Sequence, residues 1–183
     1  MHPRIQELLD HLTHHRAELR RAVDGVPAER REQRPAPDRW SVADVLEHLA
    51  IVEDRIADGF TKQVAAARAS GLGQDAETSP VVPTLDMKRL LDRRRRVTAV
   101  EVTHPRGMSA NAAWSALEQS RARLRAALLD ADGLALGTLT ATHPVLGEMN
   151  LYQRIAFIGG HEARHAAQIR EIGAALDVAS VEA

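Results

Sequence analysis

The chain has 183 residues, with 24 Lys and Arg against 25 Asp and Glu, for a formal net charge of −1. That length suits one domain with a sizeable core, and that balance gives no general attraction to nucleic acid or to an anionic membrane. The absence of cysteine excludes disulfides, thiolate metal sites and a cysteine nucleophile, and it fits a reducing cytoplasm.

The N-terminal stretch MHPRIQELLDHLTHH is polar and amphipathic and lacks a signal-peptide core. No apolar run approaches the roughly 20 residues of a membrane span. Abundant Ala, Leu and Arg with only 3% aromatics favour helices over a β-sandwich. The first helix is predicted over residues 4–24, where Ile5, Leu8, Leu9, Leu12, Leu19 and Val23 form one apolar stripe. Pro3 suits its start and Gly25 its end. His15 falls at the edge of the stripe and His14 faces outward.

After a proline-containing loop comes WSVADVLEHLA. Ser41 and Asp44 have the spacing of a capping box, and Trp40 stands where a hydrophobic staple on Val45 would begin. The second helix is predicted over 41–70, with Val42, Val45, Leu46, Leu49, Ile56 and Phe60 facing inward and His48 at the stripe's border. Residues 71–108 are irregular: Gly71, Gly73, Pro80 and Pro83 break regular structure. A short helix is expected over 85–94, and VTAVEV is expected to be extended. The run Arg93–Arg96 reads as a solvated face rather than a phosphate site. A connection this long allows two successive bundle helices to run in the same direction.

The third helix is predicted over 109–130, with Trp114, Leu117, Leu124 and Leu128 on its apolar face and Arg121 among them. Residues 134–148 read as a loop or short hairpin. The fourth helix, over 149–175, contains MNLYQRIAFIGGHEARHAAQIREIG, and the tail after Leu176 is expected to be loose. Its residues His161 and His165 are four apart, so both imidazoles lie on one helical face, together with Leu151, Ile155, Ile158, Ile169 and Ile172. Imidazoles turned into an apolar core are costly unless something satisfies them. A hydrogen-bonded pair would do so; so would a metal ion, for which neutral imidazole is a common ligand. His48 is the candidate third ligand.

Three neutral imidazoles around a divalent ion leave a position for water or for a thiolate substrate, and either is a nucleophile at neutral pH. Such a set suits zinc, nickel, iron or copper. Glu162 is the candidate catalytic base, or else a carboxylate that orients a histidine or pairs with arginine. Gln168 would line the pocket or bond between helices, while Tyr152 projects from another side. HEARH also fits the H-E-x-x-H pattern of zinc peptidases, in which the glutamate activates water. However, no H-x-x-G-x-x-H continuation follows, Glu171 is too near to be a distant third ligand, and Glu182 lies in the tail.

Four long amphipathic helices with a long second connection suggest a bundle. Trp40-Ser41 followed by His48-Leu49, the Pro-Arg-Gly segment at 105–107, and HPVLGEMNLYQRIAFIGGHEARHAAQI over 143–169 go further. In this order and at these separations they resemble the DinB-like superfamily of metal-binding four-helix proteins. The resemblance implies an all-α, up-down-down-up bundle over residues 1–183. It also implies a divalent ion, zinc or nickel foremost with iron or manganese as alternatives, held by His48, His161 and His165. Relatives that use low-molecular-weight thiols such as bacillithiol or mycothiol imply a metal-dependent transferase or hydrolase acting on a small molecule, with such a thiol as cosubstrate. A homodimer is implied too. A metal-containing stress-response module without turnover is the alternative of a different class.

Overall fold

The computed structural model describes residues 1–95, 98–143 and 146–181. Arg96 of the basic run, Val97 of the expected extended segment, Pro144 of the H-P-x-x-G turn and Glu182 lie outside them. Four long helices carry the fold: α1 (Pro3–Asp24), α2 (Val42–Ala69), α4 (Ala110–Asp130) and α5 (Leu151–Val181), with the short α3 (Met87–Leu91) in the connection. The chain is all-α apart from one antiparallel hairpin, β1 (Thr140–His143) and β2 (Gly147–Asn150), which pairs Thr140 with Asn150 and His143 with Gly147. Among the described residues no helix is long and apolar enough to cross a membrane.

The starts of the helices follow from local chemistry. Ser41 Oγ accepts from the Asp44 backbone N–H at 3.1 Å and Asp44 Oδ2 accepts from that of Ser41 at 2.9 Å, so the capping box is present in full. Pro3 occupies the first turn of α1, and Ser109 caps α4. Trp40 packs against the cluster that contains Val45. Four expectations are corrected. Helix α5 begins at Leu151 rather than 149, because Met149 and Asn150 pair in β2, and the short helix expected over 85–94 covers only Met87–Leu91. Helix α5 continues to Val181 instead of loosening after Leu176, whose side chain is buried against the α2 end of the core. The VTAVEV segment forms no strand among its described residues; its end closes as a 3₁₀ turn, Glu101–Thr103, because Val100 O takes the Thr103 N–H at 2.9 Å.

The core has two apolar halves. One joins Ile5–Leu12 of α1, Ala57–Val64 of α2, Leu124 and Leu128 of α4, and the first turns of α5. The other joins Leu19–Val23 of α1, Val42–Ala50 of α2, Ala113 and Leu117 of α4, and Ala166–Leu176 of α5. Each half therefore takes the start of α1 and α5 with the end of α2 and α4, or the reverse. That fixes the order up, down, down, up, and it explains the long connection between α2 and α4, which run in the same direction. The connection contains α3 and is held to the bundle by polar grips. Glu7 accepts from the Val81 and Val82 N–H groups at 2.7 and 3.0 Å, and the buried Arg164 donates to the carbonyls of Leu90 and Asp92 at 3.0 and 2.8 Å.

Between the two halves lies a charged layer with one residue from each long helix. Arg16 Nη2 lies 2.9 Å from Glu53 Oε2 and Arg16 Nε 2.8 Å from Glu162 Oε1; Arg121 Nε lies 2.6 Å from Glu53 Oε1 and its Nη2 3.0 Å from Glu162 Oε1. Arg16 Nη1 also pairs at 2.8 Å with the exposed Glu118, so the two guanidiniums face two buried carboxylates and a third at the surface; such pairing is the condition for holding charge away from water. Burial works to discharge Arg16, and the carboxylates of Glu162 and Glu53 overcome it and leave its pKa raised.

Candidate metal centre

The site lies between α2 and α5, which run antiparallel. His48 comes from the first half of α2; His161 and His165 come from successive turns of α5. The glycine pair before them sets how closely α5 is approached. A Cβ on Gly159 would sit 2.4 Å from His11 Nε2 of α1, and one on Gly160 would sit 2.3 Å from Leu90 Cδ2 of α3. Alanine at either place would push a neighbour away from the helix that carries the ligands.

The structure brings His48, His161 and His165 together, with one ring nitrogen of each within 4.8 Å of the others. The His161 Nε2 atom lies 3.4 Å from His48 Nε2 and 3.1 Å from His165 Nε2. His48 and His165 are buried and His161 is half-buried. Acceptors fix two of the tautomers. His48 Nδ1 is 2.8 Å from the Thr103 carbonyl and His165 Nδ1 is 2.8 Å from Gln168 Oε1, so both Nδ1 atoms carry the proton and donate it outward. Their Nε2 lone pairs then face inward. His161 Nε2 can donate to at most one of them, which leaves at least one inward lone pair opposite another nitrogen with no hydrogen between. A cation satisfies all three, so the donor set fits a metal ion and these residues could hold one.

Protonation points the same way. Burial lowers the pKa of His48, against the pull of its Thr103 bond. It holds His161 well below 6.5, helped by the charges of His165 and His48. It pushes His165 down to about 3, with His48 adding to the effect. All three are therefore neutral near pH 7, the form that ligates. Aromatic rings flank them: Trp40 packs on His48 with ring centroids 5.0 Å apart, and Phe157 stacks on His161 at 5.2 Å with His143 against its other side at 4.7 Å.

Glu162 is not brought to the three imidazoles. Its carboxylate belongs to the charged layer with Arg16 and Arg121, and its Oε2 is buried without a hydrogen-bond partner. One residue along a helix is a 100° turn, so the neighbour of a ligand faces a different interior. In the H-E-x-x-H pattern the glutamate serves the metal; here two guanidiniums hold it. Gln168 Oε1 lies 2.8 Å from His165 Nδ1 and so orients that ring of its own helix. Tyr152 is remote from the site, with its hydroxyl 2.7 Å from Asp75 Oδ2 and 2.9 Å from the Leu134 carbonyl. Of the basic run, Arg93 pairs with Glu171 and Arg94 with Asp92.

Sequence reasoning missed three features. The Thr103 carbonyl leaves no side-chain signature. Glu47, buried beside His48, is occupied by the backbone of Gly107 and Met108. The charged layer was legible: Arg16 lies on the stripe between Leu12 and Leu19 and Glu53 on that between Leu49 and Ile56, each a charge where the period demands an apolar residue.

Comparison with known proteins agrees with this geometry. The family model described as the DinB superfamily matches residues 11–169. The chain is similar to the uncharacterized protein YuaE of Bacillus subtilis (strain 168), 26% identical over 165 residues, in an alignment covering 86% of this chain and 91% of that protein. No solved structure gives a significant match.

Proposed function

The chain belongs to the DinB superfamily, and we propose that it is a divalent-metal enzyme whose ligands are His48, His161 and His165 and which carries out transfer or hydrolysis on a small molecule, with a low-molecular-weight thiol as cosubstrate. The observation that carries this reading is the convergence of three inward Nε2 atoms, two of them with the tautomer set by an outward hydrogen bond. When bound, a zinc-type ion supplies Lewis acidity that lowers the pKa of a coordinated water or thiol toward neutrality. The protein does the rest. Thr103 and Gln168 hold two imidazoles in the ligating tautomer. Trp40 and Phe157 keep the rings from turning. The half-buried His161 side leaves access for a small ligand.

The donor set has no carboxylate, so it leaves the charge of a divalent ion uncompensated. That favours an anionic partner, and a thiolate is one that also reacts as a nucleophile at neutral pH. A low-molecular-weight thiol would supply what a chain without cysteine lacks. Three imidazoles suit zinc and nickel, the ions the family resemblance implies foremost, as they do iron and copper.

Elemental analysis of the purified protein tests the site. About one equivalent of metal per chain is expected in the wild type, and its loss in His48→Ala, His161→Ala and His165→Ala. Equal metal in all four proteins refutes the assignment. Metal retained in His48→Ala alone would point instead to a peptidase-type pair completed by another ligand. Incubating the metal-loaded protein with thiols and an electrophile such as 1-chloro-2,4-dinitrobenzene then tests for transfer.

A further inference from the structure

Glu47 and His48 are neighbours at the start of α2, and both side chains engage the same stretch of the long connection. His48 Nδ1 donates to the Thr103 carbonyl at 2.8 Å. Glu47 Oε2 accepts from the Gly107 and Met108 N–H groups at 3.0 and 2.9 Å. Only His104, Pro105 and Arg106 separate the two grips. Gly107 has φ +97°, a conformation that side chains resist, and there it turns two successive N–H groups onto one carboxylate oxygen. This gives the Pro-Arg-Gly segment a physical reason. The other hydrogen bonds at Thr103 are internal to its own turn: its N–H and hydroxyl both reach Val100 O, at 2.9 and 2.8 Å. They shape the turn but do not attach it to α2.

We propose that Glu47 is a positioning residue for the metal centre: by clamping the 107–108 backbone to α2 it keeps the Thr103 carbonyl on His48 and so keeps the His48 Nε2 lone pair aimed at His161 and His165. The proposal rests on the reading of the three histidines as metal ligands. Without the clamp the connection is free to lift, His48 loses the acceptor that selects its tautomer, and one of three ligands loses its aim. The clamp needs an acceptor oxygen, not a charge, because both of its partners are neutral backbone donors.

The test measures zinc affinity by competition with a chromophoric chelator, the absorption spectrum of the cobalt(II)-loaded protein, and the thermal midpoint of the metal-free protein. Glu47→Ala is expected to weaken zinc binding about tenfold or more and to shift the cobalt bands. Glu47→Gln keeps the oxygen and is expected to restore affinity to within about threefold of wild type. Glu7→Ala is the control, because Glu7 holds Val81 and Val82 by the same kind of grip away from the site; it is expected to lower the thermal midpoint without changing affinity or spectrum. If Glu47→Ala does not fold, Gly107→Ala loosens the same clamp by strain at φ +97° and carries the same expectation. The proposal is overturned if the clamp variants bind zinc as tightly as wild type, if Glu47→Gln is as weak as Glu47→Ala, or if Glu7→Ala weakens binding equally. A wild type that binds no zinc overturns the metal-centre reading and the clamp with it, a result distinct from equal binding by all variants.

Discussion

Mild acid should destabilise the metal-free protein through the same three histidines. In the unfolded chain each has a pKa of about 6.5. In the fold all three are lowered, His165 to about 3. A group with a depressed folded pKa leaves the unfolded state binding more protons below 6.5. Its stabilisation is therefore full above that value and lost as pH falls toward the folded pKa. Between pH 7 and 5.5 the unfolded imidazole gains most of its proton while folded His165 gains almost none, which removes about 1.2 kcal/mol. For a chain of this size that corresponds to roughly 3–5 °C in Tm. His48 and His161 add to the loss, to an upper bound of about 4 kcal/mol because the three share one space. The assay is thermal unfolding of chelator-treated protein at pH 7.0 and 5.5, for the wild type and His165→Gln. The variant should show an acid-induced drop smaller by about 1 kcal/mol. A wild type that gains stability on acidification, or a variant with the same pH sensitivity, would refute the claim that these rings are held neutral. Zinc should steepen the dependence, since protons and metal compete for the same lone pairs.

Other consequences follow from the charged layer and the glycine pair. Removing Glu53 leaves the buried Arg16 and Arg121 to share Glu162, with only the exposed Glu118 besides, so Glu53→Ala should cost about 3–5 kcal/mol in urea unfolding. A cost under about 1 kcal/mol would show that water reaches the layer. Replacing Arg16, Glu53, Arg121 and Glu162 together by apolar residues of similar size should be far less damaging than the single change, because no charge is orphaned. Gly160→Ala places a Cβ against the mobile end of Leu90 and should cost about 1–3 kcal/mol by displacing α3; an unchanged urea midpoint would mean that the connection yields freely.

The helical frame was largely legible in the sequence. The predicted ranges 4–24, 41–70 and 109–130 match α1, α2 and α4 to within a residue at each end, because caps and apolar periodicity are local. The end of α5 was misjudged because Leu176 is ordered by packing on the far half of the core, which no local signal reports. The histidines could be named as a set because an i, i+4 pair on an apolar stripe is conspicuous and His48 stands at the border of the second helix's stripe; the DinB resemblance implied the same three. For Glu162 the sequence left open a base, a partner of a histidine or a partner of arginine, since periodicity gives a direction around the helix but does not say which partners wait there; the structure shows the last.

The sequence by itself determined the class of fold, the length and amphipathic face of each helix, and three imidazoles turned inward. Those follow from propensity, capping and the 3.6-residue period. Only the tertiary structure decided that Glu162 and Glu53 pair with Arg16 and Arg121, that a carbonyl more than fifty residues from His48 sets its tautomer, and that Glu47 takes the backbone N–H groups of Gly107 and Met108. These are contacts between distant parts of the chain: charges on the apolar stripes announce the first without naming its partners, and the other two run through backbone atoms that every residue possesses, which no side-chain pattern announces.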